Sequence, residues 1–197
     1  SGATYMDGTT DITRTYPLGP LTEDEKRFYT WTLQSHIDLA KAVWLDYCEC
    51  KMIDTIAREP LWRHLINYRC GTGHSVSFVG NVHEGPHALN SRNTTRMRPG
   101  MVVTDEPGVY ETDLVGIRIE NELVCVHKAD NQYGTFLGFE PLMFVPIATS
   151  PILPGVLDKD EIAWLNDYHR QVFAKLAPHL NDEERSWLAE KCAAIGC

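Results

Sequence analysis

At 197 residues the chain is long enough for one good core, and its 43% hydrophobic and 23% charged residues are ordinary for a globular protein. The formal net charge of −9 argues against a nucleic-acid partner, which calls for a clustered basic face. No apolar run reaches the ~20 residues of a membrane helix, and no basic-then-apolar leader opens the chain. The six cysteines (Cys48, Cys50, Cys70, Cys125, Cys192 and Cys197) show no disulfide framework, so free thiols in a reducing compartment are expected.

Residues 1–16 read as a hairpin, with Asp7-Gly8 at its turn and a Thr-rich second strand over residues 9–15. Asp11 falls in that strand, where aspartate is depleted; it is either an edge gatekeeper or a ligand. The chain opens inside a strand with no lead-in, which is the expectation for a fragment. Thr22 caps a long helix and Glu25 completes a capping box. Phe28, Trp31, Thr32, Ile37, Leu39, Ala40, Val43 and Trp44 supply its apolar surface, and His36 is read as a surface or satisfied core histidine. A second helical stretch, 52–68, breaks at Pro60, where a new helix is expected to begin.

Composition then changes. Cys70-Gly71-Thr72-Gly73-His74 opens a glycine-rich turn whose backbone can approach a ligand closely. His83-Glu84-Gly85-Pro86-His87 matches His-Glu-x-x-His, but that motif needs one helical face and Gly85-Pro86 breaks the helix, so a zincin reading fails. Residues 88–99 form a polar loop. Met101 to Thr104 reads as a buried strand halted at Asp105-Glu106 by a Pro107-Gly108 turn. Gly116 to Val126 alternates with period two: Ile117 and Ile119 face one way, Arg118 and Glu120 the other. By itself this stretch leaves open a site or a solvated hairpin. A loop at 133–138 leads to a strand at 139–147, marked as edge or bulged by Pro141 and Pro146. Beyond a linker at 151–155, Asp158 caps a helix over 159–176 and Asn181, with Glu184, caps a last one to about Ala194. The stripe Ile162, Leu165, Val172, Phe173 and Leu176 is expected to pack on its own domain or to serve as a dimer surface. The domain division reads as 1–150 and 151–197.

Asp11, His74, Glu106 and Glu120 come from four separate segments and form a hard, oxygen-rich set suited to Mn²⁺, Co²⁺ or Zn²⁺. Around them the segments Gly-Thr-Thr-Asp-Ile-Thr-Arg-Thr (8–15), Gly-Thr-Gly-His (71–74), Asn-Val-His-Glu-Gly-Pro (81–86), Thr-Asp-Glu-Pro-Gly (104–108) and Gly-Ile-Arg-Ile-Glu-Asn (116–121) resemble the Xaa-Pro aminopeptidases, or aminopeptidase P enzymes. Phe-Glu-Pro-Leu (139–142) and Trp-Leu-Asn-x-Tyr-His (164–169) resemble their eukaryotic cytosolic branch. The resemblance implies an α+β pita-bread fold, akin to creatinase and methionine aminopeptidase. Its curved, mostly antiparallel sheet is covered by helices, is incomplete in its N-terminal half, and carries a C-terminal helical extension.

It also implies two divalent metal ions, most readily Mn²⁺ (Zn²⁺ or Co²⁺ as alternatives), and cleavage of the first residue from peptides with proline second. Asp11 and Glu120 would bridge the metals, His74 would be the histidine ligand and Glu106 the terminal ligand and proton carrier. His83 would bind substrate and stabilise the tetrahedral intermediate, and Arg118 would stand beside the bridging glutamate. Cys70 occupies the substrate contact where the family has a histidine. The family's first aspartate would precede Ser1, so the stretch given is expected to hold at most one metal well and to be inactive by itself. A cytoplasmic homodimer without nucleic-acid or membrane partners completes the implied picture. The alternatives are a prolidase of Xaa-Pro dipeptides and a catalytically silent, peptide-binding pita-bread module.

Overall fold

The computed structural model describes residues 2–196. Ser1 and Cys197, and with them the expectations about the chain's first residue and its last thiol, lie outside the described residues. The first hairpin pairs β1 (Gly2–Tyr5) with β2 (Gly8–Asp11). β2 ends at Asp11 instead of Thr15, so the aspartate stands at a strand end, where its carboxylate interrupts no ladder. Thr13 then makes an isolated bridge to Glu120.

The capping box of Thr22 and Glu25 starts α1 (Glu23–Ala40) as expected. Val43 and Trp44 do not belong to this helix. The chain turns at Lys41, and both lie in β3 (Val43–Leu45), which leaves Val43 exposed and Trp44 buried. α2 (Cys50–Trp62) also departs from expectation: Pro60 sits in its last turn and no new helix follows.

β4 (Gly73–His74) pairs with β5 (Ala88–Leu89), and residues 83–87 between them are not helical. β6 (Val102–Asp105) is the expected buried strand. The alternating run after it is two strands rather than one. β7 (Gly108–Glu111) and β8 (Val115–Arg118) close a small hairpin, and β9 (Asn121–Asn131) begins after a break at Ile119-Glu120. The alternation still holds across the break, since Ile117 and Ile119 are buried in core while Arg118 and Glu120 turn to the opposite side. β10 (Gly134–Pro141) starts earlier than expected and stops at Pro141. Residues 142–147 are not strand, because Pro141 and Pro146 cannot donate to a ladder.

The main sheet is antiparallel with order β3-β10-β9-β6. One core lies between it and the helices, joining Leu39, Ile53 and Ala57 to Val103, Leu123, Leu137 and Phe139. α3 (Lys159–Leu176), begun by the Asp158 capping box, packs its Leu165, Tyr168 and Val172 on Leu33 and Ile37 of α1 and on Ile117 and Ile119. The apolar stripe therefore seats within the fold. α4 (Asp182–Lys191) follows, capped by Asn181 with Glu184 as expected but ending three residues short of Ala194. No helix among the described residues is long and apolar enough to cross a membrane.

Candidate metal centre

Register brings the site together. β6 and β9 run antiparallel with Asp105 opposite Asn121, so Glu106, one residue past β6, and Glu120, one residue before β9, leave the sheet at the same end. His74 arrives on β4, which lies against β6 so closely that a Cβ at Gly73 would stand 1.8 Å from the Thr104 carbonyl oxygen. That contact requires glycine. The His74 N–H donates to Thr104 Oγ1 at 2.9 Å, and the Glu106 N–H donates to the Thr72 carbonyl at 2.8 Å. Asp11 comes from the opposite side: its N–H donates to Glu122 Oε1 at 2.6 Å.

Six of the residues singled out in the sequence meet here. His74 Nε2 is 3.2 Å from Glu106 Oε1 and 3.5 Å from Asp11 Oδ2. Ligand atoms of His74, Glu106 and Glu120 lie within 4.8 Å of one another, as do those of Asp11, His74 and His83. The His83 ring lies against that of His74, tilted by 35° with centroids 3.7 Å apart. Arg118 Nη1 donates to Glu106 Oε2 at 3.3 Å, on the carboxylate's other edge. Cys70 stands apart from the cluster, exposed at the start of the turn that ends in His74.

The electrostatics are those of a donor set short of positive charge. Glu120 is pushed up to about 7 by burial, against the Thr13 hydroxyl that donates to Oε2, and further by the Glu106 and Asp11 carboxylates. Its Oε1 is buried without a hydrogen-bond partner among the described residues. Glu122 is likewise pushed up to about 7 by burial, partly offset by the Asp11 N–H, with Asp11 and Glu120 raising it again. Burial also acts on Glu106, but donation from His74, Arg118 and Thr104 outweighs it and leaves this carboxyl below its usual range. On His74 the bond to Glu106, the Ser75 carbonyl and Asp11 outweigh burial and raise the imidazole. Four carboxylates face one half-exposed arginine. A hard divalent cation is what such a set lacks, and the buried Glu120 Oε1 is left without a partner among the described residues.

The supporting residues were not singled out from sequence. Glu122 continues the Arg118, Glu120 alternation, so period two pointed to it. Thr13 and Thr104 hold Glu120 and Glu106 by their hydroxyls. Arg14, half-buried, donates to the carbonyls of Thr13 and Glu120, to Asn121 Oδ1 and to the Tyr168 hydroxyl of α3, at 2.5–2.9 Å. Behind the site the buried His36 Nδ1 lies 3.1 Å from Asp105 Oδ2, while Asn121 Nδ2 donates to its Nε2 at 3.3 Å.

Residues 1–127 match the model of metallopeptidase family M24, and residues 135–195 match the C-terminal region of peptidase M24. The chain belongs to metallopeptidase family M24. Aminopeptidase P1 of Lotus japonicus is 42% identical over 202 residues, an overlap that takes in all of this chain and 30% of the relative. Aminopeptidase P2 of Arabidopsis thaliana is 44% identical over 195 residues, covering 95% of this chain and 27% of the relative. The chain thus spans about a third of the length of the curated relatives it matches. Among solved structures, the X-prolyl aminopeptidase of Caenorhabditis elegans, described as a cytosolic enzyme with a di-nuclear active site, superposes with a TM-score of 0.93 at 39% identity. That match covers 98% of this chain and 32% of that one. The prolidase of Pyrococcus furiosus follows at 0.60 and 29% identity, over 72% of this chain. Among M24 members the architecture is thus the expected α+β pita-bread fold, with its curved antiparallel sheet and helical cover.

Proposed function

We propose that this M24 chain carries the catalytic centre of a metal-dependent Xaa-Pro aminopeptidase, releasing the first residue from peptides with proline second. The observation that carries the reading is the convergence of Asp11, His74, Glu106 and Glu120, with the buried Glu120 oxygen left unpaired. These four would hold the cations. Mn²⁺ is our choice of ion, with Zn²⁺ and Co²⁺ as alternatives. Bound divalent cations would supply Lewis acidity and lower the pKa of a water at the site.

The chain's own residues do the rest. Glu106, oriented by Thr104 and Arg118 on its two oxygens, takes a proton from the attacking water and passes it to the leaving proline nitrogen. His83, packed against His74 in an exposed loop, donates to the developing oxyanion. Arg118 binds the substrate side of Glu106. Cys70, in the place of the family's histidine, offers a weak donor to substrate at the rim. A cytoplasmic homodimer is our expectation for the assembled protein.

The test is incubation of the protein with Mn²⁺ and Arg-Pro-Pro. Release of arginine that needs the second-position proline, and that is lost in Glu106→Ala and His83→Ala, is the expected result. No proline-dependent release would sink the reading. The prolidase-like neighbours motivate one further comparison: turnover of Arg-Pro alone, without tripeptide cleavage, would mark a dipeptidase instead.

A further inference from the structure

The arginines of this chain divide by what they touch. Arg27, Arg58, Arg63, Arg118, Arg170 and Arg185 each sit against a carboxylate. Of the other five, Arg14 is spent on carbonyls and on Asn121 and Tyr168, while Arg69, Arg92, Arg96 and Arg98 are exposed with no acidic partner among the described residues, in a chain whose net charge is −9; two of these, Arg69 and Arg92, share a pocket. Both line one cavity of about 630 Å³, and no aspartate or glutamate lines it with them. Two unpaired guanidinium groups at a pocket without acids are an island in this surface.

The other walls are donors or apolar. Asn67 Oδ1 already accepts from Arg58 Nη1 and from Trp62 Nε1, which turns its amide N–H₂ to the donating role. Arg58 itself is engaged below by Asp54 and by the carbonyls of Tyr68 and Cys70. Trp62 adds a partly exposed aromatic face. A wall rich in donors and poor in acceptors selects an anion, and the planar fork of arginine matches a carboxylate bidentately. The volume falls within the ~300–1,000 Å³ usual for ligand pockets, more than a single ion needs.

The cavity also has a fixed place relative to the metal centre. Cys70 and Gly71 are part of its wall and begin the turn that ends at His74. Three residue-to-residue steps lead from Gly71 to His74, a span of at most about 11 Å at ~3.6 Å per residue. An extended peptide advances ~3.3 Å per residue. A peptide that ran from the carboxylate cluster toward this turn would reach the cavity near its third to fifth residue.

We infer that the cavity between Arg69 and Arg92 is a subsite for a carboxylate on the downstream part of a peptide substrate. The inference rests on the reading of the cluster as a peptidase centre. It adds a preference for acidic peptides that the cluster does not explain.

The test is calorimetric binding to the Glu106→Ala protein with Mn²⁺, which prevents turnover, at low ionic strength. The probes are Arg-Pro-Pro-Glu-Ala amide and its Gln counterpart. The glutamate peptide should bind on the order of tenfold tighter, as expected of a charge-assisted bidentate contact. That advantage should shrink with added salt. It should vanish in Arg69→Gln/Arg92→Gln, with binding of the Gln peptide unchanged. The Gln peptide with a free C-terminus separates the sources: a recovered advantage assigns the pocket to the chain terminus, and no recovery assigns it to the side chain. Equal binding of the Glu and Gln amides, including no binding of either, would overturn the inference unless the free terminus alone gains affinity through the two arginines. So would an advantage that survives the double substitution. Replacing the second-position proline by alanine tests the peptidase reading separately. If that change leaves affinity untouched while the arginine-dependent advantage persists, the subsite stands and proline specificity falls.

Discussion

Glu120 carries the sharpest conflict in the molecule: a buried carboxylate raised to about 7, one oxygen held by Thr13 and the other unpartnered. A divalent cation held as proposed would resolve that conflict, and groups that orient Glu120 would then act on affinity for the ion. Thr13→Val keeps the shape and removes the donor. Mn²⁺ affinity by calorimetry should fall on the order of tenfold, as for other groups that orient a ligand from behind. An unchanged affinity would show that Thr13 only fills space. Glu120→Gln tests the ligand itself: saturating Mn²⁺ at about 100 times its Kd should add about 2.7 kcal/mol to the stability of the unsubstituted chain, and this gain should disappear in the variant. Gly73 is the other residue with no freedom. Gly73→Ala puts a methyl 1.8 Å from the Thr104 carbonyl, and forcing the strands apart should cost about 3 kcal/mol in urea denaturation.

Among the elements, α3 is tied into the centre as firmly as the strands are. The Tyr168 hydroxyl receives Arg14 Nη2 at 2.8 Å and the Val145 N–H at 3.2 Å, and Arg14 in turn holds the Thr13 and Glu120 carbonyls where the hairpin meets the sheet. Tyr168→Phe preserves the ring stacked on Trp164, with centroids 5.4 Å apart, and deletes only the hydroxyl. The Val145 N–H then loses its acceptor and Arg14 Nη2 loses one of three, so stability should drop by about 1–3 kcal/mol. Weaker Mn²⁺ binding should accompany the loss, measured on the same variant below its melting range. A drop in stability with intact Mn²⁺ affinity would confine Tyr168 to packing. The turn carrying His74 has a comparable anchor. Thr72 donates to Asp54, which also receives Arg58 Nε at 2.7 Å, and this buried network fixes the turn from the side away from the metal centre.

For the molecule as a whole, buried titratable groups shape stability against pH. Burial pushes His169 down to about 4, and its Nε2 accepts from the Ile147 N–H at 3.1 Å, so the fold holds it neutral. Its ordinary value is ~6.5, so the unfolded chain binds the proton first as pH falls. The contribution is present above ~6.5 and is lost between there and about 4. Asp105 works in the opposite sense: burial raises it to about 6 against the pull of His36, so it favours the fold as acid is added. His169→Gln isolates the first effect. In metal-free protein, its urea stability relative to the unsubstituted chain should improve by on the order of 2 kcal/mol between pH 7 and 4.5. A constant difference across that range would rule out His169 as the source.

What the residues alone determined was local or periodic. The capping boxes at Thr22, Asp158 and Asn181 need only four neighbouring residues, and the alternation through Ile117, Arg118, Ile119 and Glu120 needs only a strand's geometry. The candidate ligands and the α+β pita-bread fold were also legible, through short segments resembling one family. Tertiary structure decided what depends on distant partners. Val43 and Trp44 left the helix because β10 offered them a strand to pair with, and Pro60 was drawn into the last turn of α2 instead of starting a helix of its own. Arg14 shows no sign in sequence of what it holds, since its carbonyl acceptors at residues 120, 145 and 146 and the Tyr168 hydroxyl meet it only after the chain has closed. The unpaired state of Arg69 and Arg92 was equally invisible, because whether a charge has a partner is a fact of packing and not of spacing.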